Sequence, residues 1–371
     1  MRFRPLHAAL AATLAIGLVG CAPAITSPNT GNTDQEDKTT TVKVKTTYAE
    51  ADKVYTTSVD ATSETTFIYF DLDTQKEVTP ADPATDTTWD LAFQSTTILS
   101  NSGVSGKGDM RVARLAGGSF DSVTEAPMSG YKTDAADGDD SNAIVDSAFL
   151  VDGAWYSYNM GTHKISAHEN VVYVVQSTEG KFYKLAFTSY YDAAGTSRFP
   201  TFKWAELPSP FKSLRVEGGS GPTATGWKYL NLNRGEVVTP NDPTDSMDWD
   251  LAFNGYRVMT NSELSGSAAS QGGAYKTTHT SLLDLDDLPS GTFLADATSS
   301  VTVNHQTQEK ADMPYNPAFD AWYNYDRNTH AVTSKKLVYV VRLANGNFAT
   351  LQFLDYADGK YGVTWRNFEA K

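Results

Sequence analysis

Trp89-Asp90-Leu91-Ala92-Phe93 returns unchanged as Trp249-Asp250-Leu251-Ala252-Phe253, 160 residues further on (249 − 89). The likeness spreads outward from this pair. Val78-Thr79-Pro80 and Asp82-Pro83 match Val238-Thr239-Pro240 and Asp242-Pro243, while Asn101-Ser102 and Ser105-Gly106 match Asn261-Ser262 and Ser265-Gly266. A second block recurs at an offset of 167 (322 − 155). Trp155-Tyr156-x-Tyr158 and Thr162-His163 return as Trp322-Tyr323-x-Tyr325 and Thr329-His330; Val172-Tyr173-Val174-Val175 then returns as Val338-Tyr339-Val340-Val341 at an offset one shorter (338 − 172). Solenoid units repeat every ~20–50 residues, so a period this long is a duplicated domain. The repeats are placed at 48–207 and 212–371, with the joint in the Pro-, Gly- and Ser-rich stretch from Pro208 to Pro222.

Each repeat reads as all-β. Val171 to Gln176 is a short β-branched run, Thr178 to Lys181 is turn-like, and Phe182 to Phe187 alternates apolar with polar, which is a hairpin pattern. Tyr69–Leu72, Trp89–Phe93 and Leu337–Arg342 are further short strands, and no long stretch has the 3.6-residue period of a helix. The aromatic content of 12% suits the same class.

Composition narrows the function. Asp and Glu number 44 against 30 Lys and Arg, a formal net charge of −14, which speaks against nucleic acid as a partner. A single Cys excludes a disulfide framework, a zinc ribbon and an iron–sulfur site. The chain has no Gly-x-Ser-x-Gly elbow, no His-Glu-x-x-His and no phosphate loop, so it reads as a non-enzyme. The acidic stretch Asp134, Asp137, Asp139, Asp140 lacks oxygen ligands at the spacing of an EF-hand. It reads as a surface turn, as do Asp284, Asp286 and Asp287.

The N-terminus carries an address. Arg2 and Arg4 precede an uncharged, mostly apolar run from Ala8 to Gly20, too short for the ~20 residues of a spanning helix. The run ends Leu18-Val19-Gly20-Cys21, the form of a bacterial lipobox. Residues 1–20 are therefore expected to be a lipoprotein signal peptide, and Cys21 to carry lipid after cleavage. Residues 21–47, Thr-rich with Pro, Ser, Asn, Asp and Lys and few large apolar residues, read as a flexible tether. The expected location is exported and lipid-anchored, at the outer membrane or cell surface.

The histidines carry the chemistry. His163 and His330 occupy equivalent places after Trp-Tyr-x-Tyr, and a neutral imidazole can ligate iron. A repeated Thr-His can equally be a plain structural turn. His305 and Met313 lie upstream of His330, and Met128 lies upstream of His163. Methionine sulfur can serve as an axial ligand, although a lone Met more often packs. Trp155, Tyr156, Trp322 and Tyr323 read as core of the hairpins in preference to macrocycle contacts.

These features together resemble the HmuY-like haem-binding lipoproteins: a lipobox, Trp-Asp-Leu-Ala-Phe, Asn-Ser-x-x-Ser-Gly, Trp-Tyr-x-Tyr-x-x-x-Thr-His and a Val-Tyr-Val-Val hairpin. The resemblance covers nearly the whole mature chain, taken twice. It implies an all-β fold, non-covalent capture of haem or a related porphyrin, and delivery to an outer-membrane transporter, with a host haem protein as a source. His330 and His163 match the downstream axial position. The upstream position transfers less directly, to His305 in the second repeat and Met128 in the first. The absence of Cys-x-x-Cys-His excludes covalent attachment. The competing reading is a surface interaction or adhesion lipoprotein without metal or haem.

Overall fold

A computed structural model describes residues 42–138, 145–219, 226–304 and 306–368. Cys21, the signal peptide, most of the tether, Asp139, Asp140 and His305 lie outside the described residues. Among the described residues there is no α-helix, only antiparallel strands and three short 3-10 turns.

The Trp-Asp-Leu-Ala-Phe motif folds identically in both repeats. Leu91–Gln94 pairs with Ile68–Asp71 on one side and with Thr97–Ser100 on the other, completing a four-stranded sheet with Lys76–Val78. Leu251–Asn254 does the same between Lys228–Asn231 and Arg257–Thr260, with Glu236–Val238 at the edge. Trp89 and Trp249 are buried, and each indole Nε1 donates to the carbonyl of Pro83 or Pro243, at 3.1 and 2.9 Å. Asp90 is buried and accepts from the backbone N–H of Leu72 and Thr178, at 2.9 and 2.8 Å. Asp250 accepts from Leu232 and Ala344 in the same way, at 2.8 and 3.0 Å. Each aspartate thereby ties the small sheet to the turn of the large sheet's central hairpin.

The Asn-Ser-x-x-Ser-Gly motif is a second tie. The Asn101 Nδ2 group donates to the carbonyls of Asp86 and Trp89, and that of Asn261 to Ser246 and Trp249. A Cβ on Gly106 would lie 2.0 Å from the Asn101 Oδ1, and one on Gly266 would lie 1.9 Å from the Asn261 Oδ1. Only glycine leaves room for the amide.

The first repeat's large sheet has seven strands, in the order Val44–Ala49, Val54–Val59, Ser197–Leu207, Phe182–Tyr191, Val171–Gln176, Arg111–Ala116, Tyr131–Lys132. The second repeat's has five: Lys212–Glu217, Lys360–Phe368, Phe348–Ala357, Val338–Arg342 and Gly273–Lys276. Large and small sheets share one core in each repeat. Phe70 and Phe93 meet Phe187, Phe202 and Trp204 in the first; Phe253 meets Phe353, Tyr361 and Trp365 in the second. Val171–Gln176 is apolar throughout because it is buried on both faces. Tyr173 and Val175 point into the shared core, while Val172 and Val174 point to the outer face, under Phe120, Val123 and Ala126.

The first strand begins at Val44, inside the stretch read as tether, and the Pro-, Gly- and Ser-rich stretch from Pro208 to Pro222 holds the second repeat's first strand, Lys212–Glu217. Val44–Ala49 is a Thr-rich edge strand with one buried residue, which is why its composition resembles a linker.

The repeats touch directly. Leu283 of the second repeat completes the cluster on the first repeat's outer face, and Phe211 packs against that cluster and against Leu282, Leu285 and Val338. Arg111, with its side chain only 8% exposed, pairs with Asp284 at 3.2 Å. The Asp286 Oδ1 accepts from the Gly130 N–H, and Arg366 donates to the carbonyls of Met128 and Leu285. Asp284 and Asp286 are therefore fasteners between repeats and not the plain surface turn the sequence suggested. Asp134 also departs from its surface reading: it is buried, accepting from Ser100 N, Ser100 Oγ and Ala148 N. Asp296 fills the matching role around Thr260 and Asn316 in the second repeat.

Candidate functional site

A small hairpin stands beside the large sheet in each repeat and carries the repeated histidine. In the first it is Tyr156–Asn159 paired with Lys164–Ala167; in the second it is Tyr323–Tyr325 paired with Val332–Ser334. Its base is fixed by tryptophan. Trp155 and Trp322 are buried in the cores, and their indoles donate to the carbonyls of Thr96 and Tyr256, each at 3.0 Å. The expectation that these tryptophans are core holds.

The turns are built from side-chain caps. The Asn159 Oδ1 accepts from Gly161 N and Thr162 N, at 2.9 and 3.0 Å. The Asp326 Oδ1 accepts from Asn328 N and Thr329 N, at 2.7 and 3.2 Å. The chain then enters the left-handed region at the histidine, with φ of 53° at His163 and 58° at His330. A side chain there costs of order 1 kcal/mol that glycine would not. Both repeats nonetheless place histidine at this point.

Each imidazole is exposed but oriented. The His163 Nδ1 lies 2.7 Å from the Tyr158 hydroxyl, and the His330 Nδ1 lies 2.6 Å from that of Tyr325. With Nδ1 engaged, Nε2 is the ring nitrogen left to a ligand. A metal-binding imidazole uses one nitrogen on the metal and holds the other by an outer hydrogen bond, which fixes ring and tautomer. The donor set therefore fits an iron-centred porphyrin. Tyr158 and Tyr325 were quoted in the sequence only as part of a motif. Their constant spacing of five residues before the histidine is the sequence signal of this pairing.

In the second repeat a longer hairpin, Ala297–Asn304 with Glu309–Tyr315, borders the same region. The cross-strand pairs Ala297–Tyr315, Ser299–Met313 and Val301–Ala311 share one face, which makes that face largely apolar. Met313 thus lies on it, and His305 is outside the described residues. Arg257 reaches this hairpin, donating to the Met313 carbonyl at 3.2 Å and the Ser299 Oγ at 2.7 Å. Its guanidinium carbon sits 5.3 Å from the Tyr315 ring centroid. Between the hairpins is a cavity of about 140 Å³, lined by Tyr256, Arg257, Val301, Tyr315, Phe319 and Tyr323. Burial holds Arg257 below its ordinary pKa and pushes Tyr323 above its own.

The first repeat differs. Its counterpart hairpin has only Ala135–Ala136 and Val145–Asp146 among the described residues, and Thr96 and Thr97 stand where the second has Tyr256 and Arg257. Met128 is 42% exposed and lies at the junction between repeats, where its carbonyl accepts from Arg366. No described contact joins it to His163.

One acidic group also lies in the first repeat. Asp71, Asp73 and Asp90 bring carboxylate oxygens within 4.8 Å of one another. The Lys181 ammonium sits 2.9 Å from Asp73, and the Tyr183 hydroxyl donates to the same oxygen at 2.7 Å. This cluster belongs to the tie made by Asp90 and includes no histidine.

Fold and paired turns define a tandem β-sheet protein that presents an oriented imidazole from each of two like domains. The chain belongs to the HmuY protein family, which matches residues 63–204 and again residues 223–369. Among solved structures, the apo HmuY analog of Tannerella forsythia is 20% identical, with a TM-score of 0.34, over 43% of this chain and 96% of its own. Apo PinO from Porphyromonas gingivitis is 19% identical, with a TM-score of 0.35, over 44% of this chain and 100% of its own. A Bacteroides vulgatus protein named provisionally as HmuY-like and heme binding is 18% identical, with a TM-score of 0.33, over 43% and 92%. No curated protein matches the chain. Among the described residues no helix is long and apolar enough to cross a membrane.

Proposed function

We propose that this chain is an exported lipoprotein, anchored through Cys21, that binds haem or a related porphyrin non-covalently for delivery to an uptake system. The observation that carries this reading is the Tyr–His pair, kept in both repeats at a backbone position that disfavours any side chain. His330 would ligate iron through Nε2, with Met313 of the neighbouring hairpin, or His305, as the second ligand. His163 would do so in the first repeat. Met128 is the partner expected there from sequence; its carbonyl accepts from Arg366, and its exposed side chain is the candidate second ligand of that repeat. The iron supplies the coordination chemistry. The protein's part is to orient the imidazole, cover the ring with the apolar hairpin face and hold the Nδ1 proton on the tyrosine oxygen.

Membership of the HmuY family supports this reading. The competing reading, a surface interaction or adhesion module without a ligand, draws on the exposure of both histidines. A haem titration of the mature chain lacking the lipidated cysteine decides between them. The expected result is a saturable Soret shift that diminishes in His330→Ala and His163→Ala. An unchanged spectrum with both oxidised and reduced haem would establish the competing reading.

A further inference from the structure

Arg257 is half-buried in a chain carrying a formal net charge of −14, yet among the described residues no carboxylate reaches ion-pair distance of it. Among the described residues its two hydrogen bonds go to neutral acceptors, the Met313 carbonyl and the Ser299 hydroxyl. Asp320 lines the same cavity and acts on Arg257 only through space. Placing a guanidinium in a partly desolvated site without an anion is costly, and a guanidinium offers five N–H donors in a planar fork suited to carboxylate. Among the described residues, then, Arg257 has no carboxylate bonded to it, and its acidic neighbour, Asp320, stays short of pairing distance.

The cavity beside Arg257, at about 140 Å³, is smaller than the ~300 Å³ at which pockets for whole small molecules begin. It can take an acidic arm of a ligand but not its ring system. Its walls suit that division: Tyr256, Tyr315 and Tyr323 supply aromatic faces and hydroxyls around the cation. Tyr323 leads along its strand to Tyr325, which holds His330, so the arm site and the imidazole are two ends of one hairpin.

Resting on the porphyrin reading above, we infer that the second repeat anchors a carboxylate side arm of its ligand on Arg257, and that the first repeat, with Thr97 at the equivalent position, has no such anchor. The two repeats would then differ in ligand class. The second selects tetrapyrroles bearing free acid arms, while the first is indifferent to them.

The test compares haem with haem dimethyl ester, in which both acid arms are blocked and the ring and iron are unchanged. Each is titrated by Soret absorbance into His163→Ala, which reports the second repeat, and into His330→Ala, which reports the first. The expected result is that the second repeat prefers the free acid by at least about tenfold, as for a hydrogen bond between charged groups. The first repeat is expected to show no preference. Arg257→Gln should bring the acid down to the level of the ester without weakening the ester, and Arg257→Lys should restore part of the preference. Equal preference in the two repeats overturns the inference and leaves the haem reading intact. If neither compound binds either variant or the parent protein, both fall. The comparison between repeats stands even if Arg257→Gln does not fold.

Discussion

The Tyr325 hydroxyl and the His330 Nδ1 lie 2.6 Å apart across a five-residue span, and the Tyr158 hydroxyl and His163 Nδ1 repeat this at 2.7 Å. A hairpin turn needs no such pair. Its closure is already provided by the caps from Asn159 and Asp326. The pair therefore separates what the turn requires from what a ligand requires, and the two can be measured independently.

Replacing His330 or His163 by glycine relieves a left-handed residue. The expected outcome is unchanged or raised stability, by up to about 1 kcal/mol in urea unfolding, together with loss of Soret binding in that repeat. A loss of stability of about 1 kcal/mol or more would show that the histidine is part of the turn.

Tyr325→Phe removes only a hydroxyl. Both side chains are exposed, so thermal unfolding should barely move, by about 0.5 kcal/mol or less. Haem affinity in the second repeat should weaken about 10- to 100-fold, the usual cost of losing an outer hydrogen bond to a metal-bound imidazole.

Gly106→Ala and Gly266→Ala each drive a methyl into the asparagine that ties the small sheet, and should destabilise by about 1–3 kcal/mol. Gly118→Ala, whose nearest neighbour would be the Ser122 Oγ at 3.6 Å, serves as the control and should be nearly silent in the same denaturation curve.

Burial pushes the Asp90 carboxyl up to about 7, against the opposing pull of the Thr178 and Leu72 N–H groups. The folded chain then holds a proton that the unfolded chain releases near pH 4. This contribution to stability is complete at low pH and is lost as pH rises through 7. Carbon-13 NMR of the Asp90 carboxyl should show a midpoint near 7, and Asp90→Asn should flatten the stability profile between pH 4 and 7. A midpoint near 4 would contradict the burial argument.

The duplication and the β class were legible because both rest on local pattern: identical pentapeptides, β-branched runs and turn residues. The family signature was legible for the same reason, yet most of it is scaffold. Trp89, Asp90, Asn101 and Gly106 stitch one sheet to another and touch no site. The site was legible only in part. His163 and His330 stood out because they repeat, whereas Arg257 meets Met313 and Ser299 across 56 and 42 residues, and nothing local announces that meeting. Asp134 and Asp284 were misread because an acidic run looks the same whether its carboxylates face water, buried N–H groups or a neighbouring domain's arginine.

Leu283 sits in the outer cluster of the first repeat although it is encoded in the second. A duplicated gene ordinarily leaves two independent copies, either of which can be dropped. Here one copy covers the other's outer sheet face with a side chain, and Phe211 in the connecting segment serves both. Excising either half would strip cover from an apolar sheet face. The two repeats are therefore expected to unfold as one cooperative unit.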